Sequence, residues 1–178
     1  MKISIRKWKI EDAASLAKVL SNKNILKNLR DGLPYPYTER DAADYINAML
    51  SADDNDTFAY AVCVDDVAVG SVGAFRQNNI HYRTAELGYY LDEEYWGKGI
   101  MTEAVKLLCK KIFEENDILR IYAEPFSSNI GSRRVLEKSG FVLEGIMRSN
   151  AVKDGKVRDM AMYSIIKAGN DKNEDFTI

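Results

Sequence analysis

A chain of 178 residues, 46% apolar and 29% charged, is long enough for one domain with its own core and needs no metal or disulfide to hold it. Its 25 basic and 27 acidic residues leave a net charge of −2, which argues against a general nucleic-acid or polyanion binder. No apolar run approaches the roughly 20 residues of a membrane span, so no membrane partner is expected.

Met1 to Arg6 lacks the apolar stretch of a signal peptide. Ile3 and Ile5 alternate with polar residues before Trp8, which predicts a first strand. From Glu11 to Ser21 the apolar residues Ala13, Leu16, Ala17 and Leu20 share one helical face, with Glu11 or Asp12 suited to the positive end of the helix dipole. Asn22 to Tyr37, broken by Gly32, Pro34 and Pro36, reads as a surface loop. Thr38, with Asp41 three residues on, predicts a capped helix from Glu39 to about Leu50.

Phe58 to Val64 alternates as a strand, Asp65-Asp66 turns the chain, and Val67 to Phe75 completes a hairpin. Gly70 and Gly73 in its second arm mark a bulge or a close backbone approach. His81 to Leu91 is expected as a longer strand, and Ile100 to Glu115 as the strongest helix. A strand at Leu119 to Ala123 ends at Pro125, and a helix capped by Ser128 or Asn129 runs to Ser139, where Gly140 stops it. Phe141 to Arg148 and Val157 to Lys167 are the last two strands, joined through Lys153 to Lys156. The tail from Gly169 is polar and is expected to be frayed. The order is that of an α+β fold, a mixed and mostly antiparallel sheet of about seven strands flanked by about four helices, in one domain over 1–168.

Cys63 and Cys109 lie in apolar stretches with no CxxC and no neighbouring histidine, and read as reduced core residues of a cytoplasmic protein. His81 is the single histidine, so a zinc site or a serine–histidine centre is hard to assemble and no metal is expected. The informative stretch is Leu91 to Ala104, where a strand enters the turn Trp96-Gly97-Lys98-Gly99 and opens the long helix. Glycines admit close backbone approach, and the first N–H groups of a helix are unpaired and sit at its positive end. Such an end attracts phosphate, with Lys98 and the Thr102 hydroxyl as further donors. A phosphate loop of the GxxxxGK[ST] kind is absent, and the GxG has no third glycine for a dinucleotide fingerprint.

The segment Tyr95 to Ala104, YWGKGIMTEA, resembles the acyl-CoA signature of the GNAT N-acetyltransferases, and most of all their RimJ/RimL branch. In the same order, Ala85 to Leu91, the loop Leu33-Pro34-Tyr35-Pro36-Tyr37-Thr38, the pair Asn129 and Ser132, and Leu136 to Phe141 resemble further elements of that branch, so the likeness spans about residues 3 to 167. Three features depart from the wider superfamily. Trp96 stands where a Gln or Arg is usual, Met101 where a Gly or Ala is usual, and Leu136 where many members carry a tyrosine acid.

The resemblance implies a GNAT-like fold and transfer of the acetyl group of acetyl-CoA to a primary amine, either a protein or peptide N-terminus or a small molecule, by direct attack in a ternary complex. Cofactor contacts would come from the backbone of Tyr89, Tyr90 and Leu91, from Trp96, Gly97, Lys98, Gly99, Ile100, Met101 and Thr102, and from Asn129 and Ser132. Glu86 is the first choice of general base, against a plain solvated carboxylate, and Ser132 the candidate acid or thiolate partner, against a plain helix-surface serine. Tyr35 and Tyr37, with Glu86, could line the acceptor pocket, or the tyrosines could simply pack. The assembly would be a monomer or homodimer. Two other classes compete: a CoA-binding sensor without turnover, and a phosphate-binding domain for another nucleotide.

Overall fold

The structure, a computed structural model, describes residues 1–169. Seven strands form one sheet: β1 (Ile3–Arg6), β2 (Thr57–Val64), β3 (Val67–Arg76), β4 (Thr84–Leu91), β5 (Arg120–Ala123), β6 (Val142–Lys153) and β7 (Lys156–Ile166), in the order β1-β2-β3-β4-β5-β7-β6. Every neighbouring pair is antiparallel except β4 and β5, which run parallel. Parallel neighbours need a crossover, and the long helix α4 (Ile100–Glu115) supplies it. The other helices are α1 (Ala13–Leu20), the single turn α2 (Lys23–Leu26), α3 (Glu39–Ser51) and α5 (Ile130–Lys138).

β2 explains why helices cover both faces. Phe58, Tyr60, Val62 and Val64 face α4 and join Leu108, Ile112, Ile121, Leu136 and Tyr163 in the larger core. Ala61 and Cys63 on the other face are small, so α1 and α3 approach closely with Leu16, Leu20, Ala42 and Ile46. Trp8 closes that second core edge-on to Tyr45, with ring centroids 6.1 Å apart. Both cysteines are free and buried, as expected.

Several local expectations hold. Thr38 and Asp41 form a reciprocal cap: the Asp41 N–H donates to the Thr38 hydroxyl (3.2 Å) and the Thr38 N–H to the Asp41 carboxylate (2.8 Å). Asp65 and Asp66 both adopt positive φ (48° and 70°), which suits the right-handed twist of a tight hairpin. Gly70 is a close approach, because a Cβ there would lie 2.4 Å from the Tyr90 carbonyl oxygen.

Others are corrected. The strand expected from His81 begins at Thr84, because Asn79 to His81 form a 3-10 turn entered at positive φ on Asn79 (57°). The loop after Asn22 contains α2, capped by the Asn22 side chain, which accepts from the Asn24 N–H at 2.8 Å. β6 runs five residues past Arg148, because register shifts let the polar stretch Arg148-Ser149-Asn150 bulge while the ladder resumes at Ala151. The helix expected from Glu11 begins at Ala13, after a 3-10 turn over Ile10 to Asp12, and Asp12 sits at its head as the dipole favours. Its carboxylate is taken by Arg6 (2.7 and 2.8 Å) and the Lys9 N–H (2.9 Å). Of the tail expected to fray, only Gly169 falls within the described residues.

Candidate active site

The β4–β5 ladder is short. Thr84, Ala85 and Glu86 pair with Arg120, Ile121 and Tyr122, and there the pairing stops. β4 stays on β3 as far as Leu91, while β5 follows β7 through Ala123 and beyond it to a Phe126–Met160 bridge. The two central strands therefore diverge, and the edge of β4 from Leu87 to Leu91 is left without a strand partner on that side. An unpaired strand edge inside a sheet is a row of amides and carbonyls open to an extended ligand.

α4 opens at the far end of that edge. Gly97 and Gly99 take left-handed conformations (φ 75° and 77°) that other L-residues adopt only with strain, and these bend the chain from β4 into the helix. Trp96 holds the bend by donating its indole N–H to the Leu91 carbonyl at 2.8 Å, a structural role for a residue that departs from the wider signature. Among the described residues, the N–H groups of Gly97 to Thr102 make no backbone hydrogen bond, and Gly97 to Gly99 are exposed. Six unpaired amides at the positive end of a 16-residue helix form an anion cradle. Lys98 turns back over this bend, its ammonium on the Glu94 carbonyl (2.8 Å) and above the Tyr95 ring (5.3 Å).

α5 borders the other side of the opening. Asn129 caps it, its side-chain oxygen accepting from the Ser132 N–H at 3.2 Å. The Tyr89 hydroxyl crosses from β4 to lie 2.8 Å from the Ser132 hydroxyl and 3.0 Å from its carbonyl oxygen. Burial pushes the Tyr89 phenol far above its ordinary value, so it stays neutral. Leu136 is fully buried, so the position of the usual tyrosine acid is spent on the core here.

Where the ladder ends, two carboxylates meet. Glu86 and Glu124 are both bridged by the guanidinium of Arg30, which forms a close ion pair with Glu86 and lies 3.6 Å from Glu124. Burial and the neighbouring Glu86 raise the Glu124 carboxyl, against the pull of Arg30. Burial raises the Tyr122 phenol beside them, with both carboxylates adding to the effect. The loop carrying Arg30 is also tied to the last hairpin, through an ion pair between Asp31 and the nearly buried ammonium of Lys153.

The structure thus brings Tyr89 and Ser132 together, sets Glu86 one step before the strands part, and gathers the glycine turn and Thr102 at the cradle. Tyr90 packs toward the second core and Tyr37 is buried within it, its hydroxyl donating to the Asp41 carbonyl at 3.3 Å. Tyr35 is exposed, with Lys23 over its ring. His81 is exposed on its turn. Sequence reasoning missed Arg30, Glu124 and the contact of the Tyr89 phenol with Ser132. Only Glu124 left a signal, since it alternates with Tyr122 and so shares a strand face with it.

A mixed sheet parted between its two parallel strands, with an anion cradle at the head of the crossover helix, forms a cleft with the shape and charge to take an extended phosphorylated ligand. The GNAT acetyltransferase domain model matches residues 2–142, and the chain belongs to that family. It is 38% identical over 123 residues to "Probable N-acetyltransferase YjcK" of Bacillus subtilis, covering 69% of this chain and 68% of the relative. In fold it is similar to the ribosomal-protein-S5-alanine acetyltransferase of Vibrio fischeri (TM-score 0.84, 24% identity, 95% of each chain). It is similar also to the spermidine N-acetyltransferase of Vibrio cholerae in complex with CoA and spermine (TM-score 0.77, 22% identity, 93% of this chain and 95% of that one). The protein is an acetyl-CoA-dependent N-acetyltransferase that transfers the acetyl group to amines. Among the described residues no helix is long and apolar enough to cross a membrane.

Proposed function

We propose that the protein acetylates the primary amine of a protein N-terminus or a small amine metabolite, in the cytoplasm, by direct attack within a ternary complex. The observation that carries this reading is the break in the β4–β5 ladder, because it sets an open strand edge between an anion cradle at one end and a carboxylate pair at the other. The amides of Gly97 to Thr102 hold the pyrophosphate, and the backbone of Tyr89 to Leu91 hydrogen-bonds the pantetheine arm. Asn129 keeps its side-chain amide N–H groups for the same arm while its oxygen caps α5. The thioester then lies near the point where the strands part.

An amine attacks only when neutral, and it arrives mostly as ammonium. Glu86, one step from the opening, accepts the proton directly or through water. Glu124 assists: burial and the Glu86 charge raise its carboxyl, and the two carboxylates draw a cation toward them. The chain's own hydrogen-bond donors then stabilise the charge that develops on the acetyl group and its sulfur. The amides of the β4 edge receive the oxyanion, and the Ser132 hydroxyl donates to the departing thiolate. Arg30 must leave the carboxylates when a cationic acceptor enters. The exposed guanidinium is two-thirds accessible, so its ion pair costs little to break.

The similar proteins act on an alanine of a ribosomal protein and on the polyamine spermidine, which supports both branches of the amine class. An amine panel assayed by release of free thiol tests the reading. Turnover with N-terminal peptides or small primary amines is the expected result. Tight acetyl-CoA binding with no acetylation of any amine would instead make the chain a CoA-binding module.

A further inference from the structure

The Tyr89 phenol has one hydrogen and two acceptors in reach, the Ser132 hydroxyl oxygen at 2.8 Å and the Ser132 carbonyl at 3.0 Å. Two arrangements of the hydrogens satisfy these distances. In one, the phenol donates to the carbonyl and the serine hydroxyl donates to the phenol oxygen, so the serine hydrogen is spent inside the pair. In the other, the phenol donates to the serine oxygen, and the serine hydrogen is free to leave the pair. The heavy atoms need not move between them. The second arrangement also strengthens the serine as a donor, because a hydroxyl that accepts a hydrogen bond gives a better one.

We propose that Tyr89 is a positioning residue for acetyl transfer, its phenol turning the Ser132 hydroxyl outward as negative charge develops on the departing sulfur. This rests on the reading of Ser132 as the thiolate's partner. In the step, the amine nitrogen bonds to the acetyl carbon, the carboxylate pair takes the amine proton, and the carbon–sulfur bond breaks with its electron pair on sulfur. The Ser132 hydroxyl donates a hydrogen bond to that sulfur without losing its proton, and solvent later protonates the thiolate. A neutral thioester sulfur is a poor acceptor and leaves the inward arrangement favoured. A thiolate rewards the outward one with a charge-assisted bond. The gain is therefore realised only as the sulfur becomes charged, which is the condition for acceleration rather than tighter substrate binding. Burial of Tyr89 fits the role, since a phenol that stays neutral always has a hydrogen to donate.

The alternative is that Tyr89 and Ser132 only satisfy each other. Calorimetry with CoA and with its desulfo analogue, at alkaline pH where the thiolate is abundant, separates the two, alongside kcat and KM for acetyl-CoA. In Tyr89→Phe, kcat should fall about tenfold, the scale of one net hydrogen bond, with KM little changed. The preference for CoA over desulfo-CoA should fall with it, while desulfo-CoA binds as before. Ser132→Ala should show the same pattern, and the double variant should be no worse than Ser132→Ala alone, because Tyr89 acts only through Ser132. If Ser132→Ala keeps wild-type kcat and preference, the reading of Ser132 itself fails. If Ser132→Ala loses both but Tyr89→Phe loses neither, or if the two effects multiply, the inference about Tyr89 alone is overturned. Should Tyr89→Phe not fold, a ring-fluorinated tyrosine at position 89 keeps size and hydroxyl and donates more strongly. It should raise the CoA preference, and an unmoved preference overturns the proposal.

Discussion

Gly99 and Glu86 carry the site through opposite properties. Gly99 works through what it lacks. Its φ of 77° is a left-handed conformation, and a side chain there would meet no protein atom within 4 Å, so a substitution pays in backbone strain and in whatever the ligand needs of that space. Gly99→Val should raise KM for acetyl-CoA at least about tenfold, from strain of order 1–2 kcal/mol together with lost amide contacts, and calorimetric titration would measure it. Unchanged acetyl-CoA affinity would remove the pyrophosphate from this turn. Glu86 works through its charge, and Glu86→Gln should lower kcat by about 10² or more and alter the pH–rate profile while sparing acetyl-CoA affinity. An unchanged profile would assign the proton to another acceptor. Leu136 is the opposite case, an absence with a reason. Because it is fully buried, Leu136→Tyr should destabilise the protein by roughly 1–3 kcal/mol through overpacking and should not raise activity. Thermal unfolding and the thiol-release assay check the two halves separately.

The cradle works only if α4 starts where it does, and helix starts here follow short-range chemistry. The cap at Thr38 and the glycine turn before Ile100 both lie within four residues of the turns they fix, which is why both were legible in the sequence. Thr38→Ala should cost about 1 kcal/mol, or about 2–4 °C in Tm for a protein of this size, and leave the Michaelis constants near wild type because the Thr38 hydroxyl bonds only to Asp41 in its own cap. A much larger loss would mean that α3 holds up more of the fold than its own cap. One element, β6, departed from expectation through long-range pairing. β6 reads as finished at Arg148 because Ser149 and Asn150 break the alternation, yet β7 draws the chain back into register three residues later. The strand expected from His81 starts late for a local reason, the 3-10 turn over Asn79 to His81. The Leu119 and Arg120 N–H groups donate to the Arg83 carbonyl, and this ties the start of β4 to a segment about 35 residues away.

At the scale of the whole molecule, the sheet is also held across β5, β7 and β6 by charge. Arg120 on β5 grips Glu144 on β6 through two short hydrogen bonds, and Ser164 on β7 donates to the same carboxylate at 2.7 Å. The Arg120 pair outweighs burial and holds the Glu144 carboxyl at about 2, below the ordinary 4.5. A carboxylate depressed in the folded state stabilises above its unfolded value and loses that contribution as pH falls toward the folded one. Stability should therefore decline from about pH 5 to about pH 2, and Glu144→Gln should be less stable at neutral pH with a flatter acid limb. Chemical unfolding at several pH values would show an unchanged slope if the pair were idle.

Residue types and their spacing by themselves determined the alternation of strands and helices, the glycine turn before the long helix, and with them the family. Each depends on neighbours within one or two turns of chain, where sequence distance and spatial distance agree. The parting of β4 from β5, the meeting of Arg30 with Glu86 and Glu124, and the contact of Tyr89 with Ser132 were decided by the tertiary structure alone. These partners stand tens of residues apart, and no periodicity records which strand edge is left open once the sheet has closed on its two cores.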